Sequence, residues 1–561
     1  MGTIHKTGCV LCPQNCGLQI EVEANRIVKV RADKTNAKSE GYVCRKGMNV
    51  AYHQHNADRL QYPLKKVGGK FERISWDQAT DEIAAKLKSI VGTHGPPSFA
   101  YMGASTQGCH FEAGFGIRLM RGLGSQYHYS ALGQEFAGAF WVIGHTHGRQ
   151  YLHDSPDVDN ADVLFTLGWN GMQSHQMPQA PVKLRRFSKD KNKVLIVVDP
   201  RKTETAQLAD IHLPIRPGTD SLLIKAMISI ILKEGWENKE YIRAHTNGFD
   251  RVRSYFENFD VRAALEVCQL DFDEVYKVTR IYSTRKSALR NDLGIFMGRH
   301  GPLNSYLIVI LQSICGRLCV KGGNVIHGHM MPIGSHSDET NPKTWRTAST
   351  NSFPVCGVFP PNVMPEEILS DHPERLRAVL VAGSNPLRSY ADTTAYEKAF
   401  GRLELLVTAE IAMTETAALS DYVLPSRSGY ESWDSTFFPF TYPGIHFQMR
   451  RPIIEPEGEQ LELGEIHLRI ADKLGLIPQI PENLYQAALE SRPAFAKALM
   501  EYIAVEPTAF KAMPFILGKT LGKALGSVHL AALWGMLQAA PNSFYENAAR
   551  AGFKPGPGLS E

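Results

Sequence analysis

Thr203-Glu-Thr-Ala-Gln-Leu-Ala-Asp-Ile-His-Leu-Pro214 and Thr414-Glu-Thr-Ala-Ala-Leu-Ser-Asp-Tyr-Val-Leu-Pro425 share eight of twelve residues at an offset of 211 positions. Upstream of the first copy lie the apolar runs Val163 to Leu167 and Val194 to Val198; upstream of the second lie Ala378 to Ala382 and Leu405 to Ala409. The first run of each pair ends in Gly-x-Asn, as Gly168-Trp169-Asn170 in one half and Gly383-Ser384-Asn385 in the other. Short apolar runs closed by polar, Gly- or Pro-containing loops, and separated by helical segments such as Leu222 to Lys233, read as parallel strands of α/β units. The period is too long and the copy number too low for a solenoid. The fold class is therefore α/β and multi-domain, with two related doubly wound units. Ligands of such sheets sit at the carboxyl ends of the strands, and two like units suit a ligand with two like halves. The competing reading is that the duplication is architectural and the threonine pairs are helix caps.

Outward to the amino end, Leu18, Ile20 and Val22, then Ile27, Val28 and Val30, flank Ala24-Asn25 as a β-hairpin, so a small β-rich domain begins the chain. It carries Cys9-x2-Cys12-x3-Cys16, and Cys44 follows after 27 residues. Three thiolates on a tight loop plus a distant fourth can give one sulfur to each iron of a cubane cluster. A zinc site more often pairs two Cys-x2-Cys knuckles, and three cysteines within eight residues are poorly placed for disulfides. Arg45 and Lys46 follow the fourth cysteine and would favour the reduced form of an anionic cluster. Further on, Ser75 and Gln78 form a capping box for a helix from Trp76 to Val91.

The 561 residues, 43% hydrophobic and 21% charged, fit a folded chain of several domains and exclude a disordered or collagen-like one. A net charge of +4 makes neither nucleic acid nor an anionic membrane a default partner. Nine cysteines in so long a chain indicate a reducing compartment, and the first eight residues carry no apolar or twin-arginine signal, so a cytoplasmic location is expected. Leu525 to Ala540, interrupted by His529 and Gln538, is too short for a membrane span and reads as a buried or partner-facing helix.

Taken in order, these motifs resemble those of the molybdopterin oxidoreductases of the dimethyl sulfoxide reductase family, which includes formate dehydrogenases and nitrate reductases. The resemblance rests on the cysteine cluster running into Cys44-Arg-Lys46-Gly47, on Asp58-Arg-Leu-Gln-Tyr-Pro-Leu64, and on Trp169-Asn170 with His175. It continues through Val198-Asp-Pro-Arg-Lys-Thr-Glu-Thr205, Arg216-Pro-Gly-Thr-Asp220, Met297-Gly-Arg-His300, and the second Thr-Glu-Thr-Ala block with Asp421 and Glu431. It implies a 4Fe-4S cluster on Cys9, Cys12, Cys16 and Cys44, and a bis(molybdopterin guanine dinucleotide) holding molybdenum or tungsten. By the same resemblance Lys46 bridges cluster and pterin. The implied dinucleotide contacts are Gly168, Trp169, Asn170, His175, Asp199, Arg201, Thr203, Thr205, Gly218, Thr219, Asp220 and Arg299 in the first half. In the second half they are Gly383, Asn385, Thr414, Thr416 and Asp421.

Two departures matter. Many relatives ligate the metal through Cys, selenocysteine or Ser after a Gly-Leu-Gly-Ser-like segment; here Arg121-Gly-Leu-Gly-Ser125 leads to Glu135 at the approximate ligand position, with Gln134 and Ser130 as neighbouring registers. A carboxylate is a hard oxygen donor suited to a high-valent metal; alternatively Glu135 pairs with a base. Cys109 reads as an ordinary buried thiol. Relatives also continue into a C-terminal domain, so either a separate partner chain supplies that part, or the gene is truncated, or cofactor binding is incomplete. The expected divisions are 1–60 for the cluster, 61–135 with 331–505 for one α/β unit, 136–330 for the other, and 506–561 as a helical extension. The expected activity is electron transfer between a small substrate at the metal, with Glu135, Lys46 and His175 as reacting groups, and the cluster, thence to a carrier protein or subunit. His145, His147 and His153 are further candidates for handling protons. The alternatives are a non-redox hydratase or lyase on the same cofactor, and a non-catalytic iron-sulfur scaffold subunit.

Overall fold

A computed structural model describes residues 2–104, 108–326, 334–435, 446–550 and 552. The chain begins with an antiparallel sheet of β1 (Thr3–Gly8), β2 (Gly17–Glu23) and β3 (Arg26–Ala32). The β2–β3 turn is the expected one: Ala24 and Asn25 both take positive φ, 47° and 61°, as a tight hairpin connection requires.

In chain order there follow β4 (Leu64–Val67), β5 (Lys70–Arg73), β6 (Phe99–Met102), β7 (His128–Tyr129) and β8 (Asp154–Pro156). Next come β9 (Val163–Leu167), β10 (Val194–Val198), β11 (Ile211–Leu213), β12 (Ser287–Asn291) and β13 (Asn324–Ile326), and then β14 (Ala378–Ala382), β15 (Leu405–Glu410) and β16 (Tyr422–Pro425). One sheet has the order β11-β10-β9-β12 and is wholly parallel, with Val163 opposite both Val194 and Ser287. The other has the order β5-β4-β16-β15-β14-β6-β7, parallel from β16 to β7, with β4 and β5 added antiparallel at one edge. The four-stranded sheet thus lies, in sequence, between the two sets of strands that make the seven-stranded one.

The central strands of both sheets are covered on both faces, which is why β9, β10, β14 and most of β15 read as apolar runs. Val163, Phe165 and Leu167 pack with the helix Asp220–Lys233, while Leu164, Leu195 and Val197 pack with the helix Ala180–Lys189. In the larger sheet Leu380 and Val407 face the helices Trp76–His94 and Leu463–Leu474, and Val379, Val381 and Leu406 face the side of Tyr396 and Met364. Burying each such Val or Leu contributes about 1.5–3 kcal/mol. Ser75 caps the Trp76–His94 helix by accepting the Gln78 N–H at 3.1 Å, but the Gln78 side chain turns forward to Glu82 and leaves the capping box half-made. The late apolar stretch forms the helix Val528–Gln538, which buries Ala531, Leu533 and Trp534, and no helix among the described residues is long and apolar enough to cross a membrane.

Candidate functional site

Because β9 to β12 run parallel, their following loops share one edge, and that edge gathers most of the residues nominated from sequence. After β9 comes Gly168 (φ 58°), whose added Cβ would lie 3.1 Å from the Gly294 backbone in the loop after β12; the two loops touch only because both residues are glycine. After β10, Asp199 accepts the Arg201 N–H at 2.9 Å, and its charge is felt by Asp220, whose carboxyl is raised chiefly by burial. Gly218 (φ 80°) and Thr219, whose hydroxyl donates to the Arg216 carbonyl at 2.7 Å, shape the turn before Asp220. Arg201 and Arg299 project into solvent on this edge. Trp169 departs from expectation: its indole is 1% exposed and packs in the core beside Leu164 and Leu184, leaving only its backbone at the loop.

The duplicated motif is a clamp built twice. Asn170 donates to Glu204 (2.7 Å) and accepts from the Thr205 hydroxyl (2.7 Å), which in turn accepts the Met172 N–H (3.1 Å). Asn385 donates to Glu415 (2.7 Å) and accepts from the Thr416 hydroxyl (2.8 Å), which accepts the Leu387 N–H (3.3 Å). Thr203 and Thr414 cap the following turns by accepting the N–H groups of Ala206 and Ala417. Thr205 and Thr416 are therefore engaged in fixing the Gly-x-Asn loops, and Thr203 and Thr414 in capping the turns that follow them. Thr205→Val and Thr416→Val are each expected to cost about 1–3 kcal/mol, because a buried hydroxyl that both donates and accepts is lost, and urea unfolding should show closely similar losses for the two.

In the N-terminal domain the cysteine loop is folded on itself. Cys9 N–H donates to the Cys16 carbonyl (2.9 Å), and Asn15, at φ 39°, donates its N–H to the Cys12 carbonyl (3.1 Å) and its amide to the Cys9 carbonyl (3.0 Å). Gly17 is required where an added Cβ would lie 2.3 Å from that of Asn36. Cys44 immediately precedes the turn Arg45–Met48, and its carbonyl accepts the Met48 N–H at 3.1 Å. The four thiols are close enough to perturb one another. Burial pushes Cys9 up to about 12 and Cys16 up to about 11, whereas a hydrogen bond from His175 brings Cys44 down to about 7. Yet among the described residues no three Cys, His, Asp or Glu side chains converge on a point that could hold a single metal ion. Three thiols on one folded loop, with a fourth coupled to them from Cys44, suit a multinuclear cluster better than one zinc. Lys46 is exposed and its charge acts on the Cys12 thiol.

Between the sheets lies a cavity of about 1020 Å³. Its wall takes Cys12 and Pro13 from the cysteine loop, Asn291 and Asp292 after β12, and Ser130 and Glu135 after β7. Burial and the charge of Asp292 raise the Glu135 carboxyl. Arg290 reaches the same wall over the Trp169 ring (5.5 Å), its charge countered by Asp292 and Asp154. His153 is caged by Phe136, Phe140 and Tyr151, all edge-on. His145 instead pairs with Glu339 at 2.7 Å on the surface. His110, also on the cavity wall, is held by Asp434 (3.0 Å), which Arg450 grips from the other side (2.6 Å); Asp434 and Arg450 are both fully buried. Cys109, beside them, is a buried thiol as expected.

His128 also lines the cavity and stacks on Tyr101, whose hydroxyl donates to the fully buried Glu112. Burial raises Glu112 to about 7 despite the Tyr101 hydroxyl and the Ala104 N–H. From its ordinary value of 4.5 up to about 7, the unfolded chain releases a proton that the folded chain retains, so this group's contribution to stability falls across that window and is level above it. Glu112→Gln should remove this slope: the wild-type-minus-variant difference in urea midpoint is expected to drift between pH 4.5 and 7 and to be constant at higher pH.

Asp421 is not brought to the ligand edge. It precedes β16, at the amino ends of the strands, where its carboxylate accepts the Leu406 N–H (2.8 Å) as Asp210 accepts that of Leu195 (2.8 Å). The residue that sequence reasoning missed is Glu410, at the carboxyl end of β15 and 211 positions after Asp199; burial raises its carboxyl to about 7. The same offset that revealed the repeat could have found it. His110, Asp434 and Arg450 carry no such signal. Arg59 and Glu431, from two separate motifs, meet in an ion pair at 2.7 Å.

The family model for molybdopterin oxidoreductases matches residues 59–473, and that for the molybdopterin oxidoreductase Fe4S4 domain matches residues 3–56. The probable oxidoreductase YyaE of Bacillus subtilis is 26% identical over 489 residues, covering 85% of this chain and 69% of its own length. The F420-dependent formate dehydrogenase subunit alpha of Methanocaldococcus jannaschii is 28% identical over 496 residues, covering 84% of this chain and 70% of its own. Among solved structures, acetylene hydratase from Pelobacter acetylenicus superposes with a TM-score of 0.71 at 25% identity, over 84% of this chain and 69% of that one.

Proposed function

The chain belongs to the molybdopterin oxidoreductase family, and from that premise we propose that it exchanges electrons between a small substrate in the central cavity and a 4Fe-4S cluster on Cys9, Cys12, Cys16 and Cys44. The observation that carries this reading is the shared wall: Cys12 and Pro13 of the cysteine loop face the same cavity as Glu135, Asp292 and His110. The family's cofactors are a molybdopterin and an Fe4S4 cluster; the form assigned here is a bis(guanine dinucleotide) carrying molybdenum or tungsten. When bound, that group supplies the two-electron chemistry.

The chain's own residues do the rest. Gly168 and Gly383 let backbone approach one dinucleotide each, Asp199 and Glu410 are placed for ribose or base hydroxyl and amine donors, and Arg201 and Arg299 for phosphate. Glu135 is the candidate protein ligand: a carboxylate that burial makes costly to ionise is stabilised by a cation beside it. His110, its Nδ1–H donated to Asp434, presents a fixed tautomer at the cavity wall and takes or returns the substrate's proton. Lys46 lies on the electron path beside Cys12. The partner is an external electron-carrier protein or subunit, and the setting is cytoplasmic.

The test is elemental and pterin analysis of anaerobically purified protein. About four irons with molybdenum or tungsten and about two pterins per chain are expected; zinc in place of iron, or no pterin, overturns the assignment. Acceptor dependence then separates electron transfer from hydration, the reaction named in the acetylene hydratase: turnover that needs no acceptor assigns the latter.

A further inference from the structure

We propose that Lys38 and His175 set the reduction potential of the cluster held by the four cysteines, keeping it above that of the same nest without them. The proposal rests on the 4Fe-4S reading just given. An electron added to a thiolate-ligated cluster adds negative charge, so a nearby cation or an N–H donated to a ligand sulfur favours the reduced form.

Lys38 meets this description from one side. Its Nζ donates to the Pro13 carbonyl (3.2 Å), inside the loop between Cys12 and Cys16, and its charge acts on both of those thiols. Among the described residues it forms no ion pair with a carboxylate, and its hydrogen bond to Pro13 is part-buried. A poorly solvated ammonium without a carboxylate calls for another anion, and the cysteine nest is the one it faces.

His175 meets it from the side of Cys44, on whose thiol it acts. Tyr42, two residues before that cysteine, brackets the imidazole: its hydroxyl lies 3.5 Å from Nδ1 and the rings meet edge to face at 6.1 Å. The backbone there is strained. His175 has φ 63° and ψ −82°, and Gln176 and Gln179 also take positive φ, 44° and 55°. Non-glycine residues hold such conformations only where the surroundings impose them, which is common at functional sites. Since this loop begins at Gly168, the contact with Tyr42 also ties it to the segment that carries Cys44. Neither residue is a ligand; both are positioning residues.

The test is an anaerobic redox titration with dithionite, followed by the electron paramagnetic resonance of the reduced cluster, on protein shown to carry about four irons. At the wild-type midpoint, Lys38→Met and His175→Phe are each expected to lower the ratio of reduced to oxidised cluster about tenfold, equal to about 59 mV for one electron. The charge-keeping Lys38→Arg and the donor-keeping His175→Gln should stay within about twofold of wild type. Loaded Lys38→Met and His175→Phe that also stay within about twofold overturn the proposal. If either loses its iron, Lys38→Gln, which keeps the Pro13 hydrogen bond without the charge, and His175→Leu take its place, with the same readout and the same thresholds. A wild-type protein that carries no iron fails the 4Fe-4S reading itself, a different outcome from a loaded protein whose potential does not move.

Discussion

Arg450→Met is expected to destabilise the chain by about 3–5 kcal/mol, since it strands a buried carboxylate. Asp434 and Arg450 are both fully buried, and Arg450 also donates to the Gly108 carbonyl at 2.8 Å. Burial alone would raise the Asp434 carboxyl, but His110 and Arg450 outweigh it and hold Asp434 down at about 2. This contribution to stability is therefore fully present above the ordinary value of 3.8 and is lost as pH falls toward about 2. Without Arg450 the carboxylate must take up a proton or remain uncompensated, and His110 loses its fixed partner at the cavity wall. The double change Asp434→Leu with Arg450→Met removes the stranded charge and should recover much of the loss, because an apolar pair often replaces a buried ion pair at little cost. Urea unfolding of the wild type and the two variants decides the matter: a loss below about 1 kcal/mol for Arg450→Met would place the pair among those that contribute little.

Cys16→Ala should abolish cluster assembly and, with it, acceptor-linked turnover. Loss of an outer supporting residue typically costs 10–100-fold in metal affinity or activity, so loss of a ligand is expected to exceed about 100-fold. Cys16 is a stringent choice because its thiol, pushed up to about 11, has little reason to be ionised apart from iron. Iron per chain, visible absorbance and turnover with an artificial acceptor are the measurements. Near-normal iron in the variant would mean that the fourth ligand is another group, and the cluster assignment would have to move.

The sheets are legible in the sequence because their strands are covered on both faces: Val163, Leu195, Leu380 and Val407 stand in runs with no polar alternation, as only parallel, doubly covered strands do. The clamp is half-legible. Repetition of Asn, Glu and Thr shows that these residues matter, but not that they spend their hydrogen bonds on one another. The acids of the two halves show why repetition can mislead. Asp210 and Asp421 are identical because each must accept a strand N–H at the amino edge. Asp199 and Glu410, at the ligand edge, differ in length, so the shared offset of 211 and not an identical residue is what links them. His110 and Asp434 are 324 positions apart, and no local pattern predicts that tertiary folding brings them together.

The nesting of one sheet within the strands of another also fixes an order of events at the ribosome. The inner sheet has all its strands once β12 ends at Asn291, whereas the outer one waits for β16 at Pro425. At the usual 5–20 residues per second that is a delay of about 7–27 s. The N-terminal domain waits longer still, since its Asn25 exchanges two hydrogen bonds with Glu455. Until those late segments are made, Cys9 and Val10 of the cysteine loop lack the Tyr430, Ile453 and Ile454 side chains that pack with them in the finished fold.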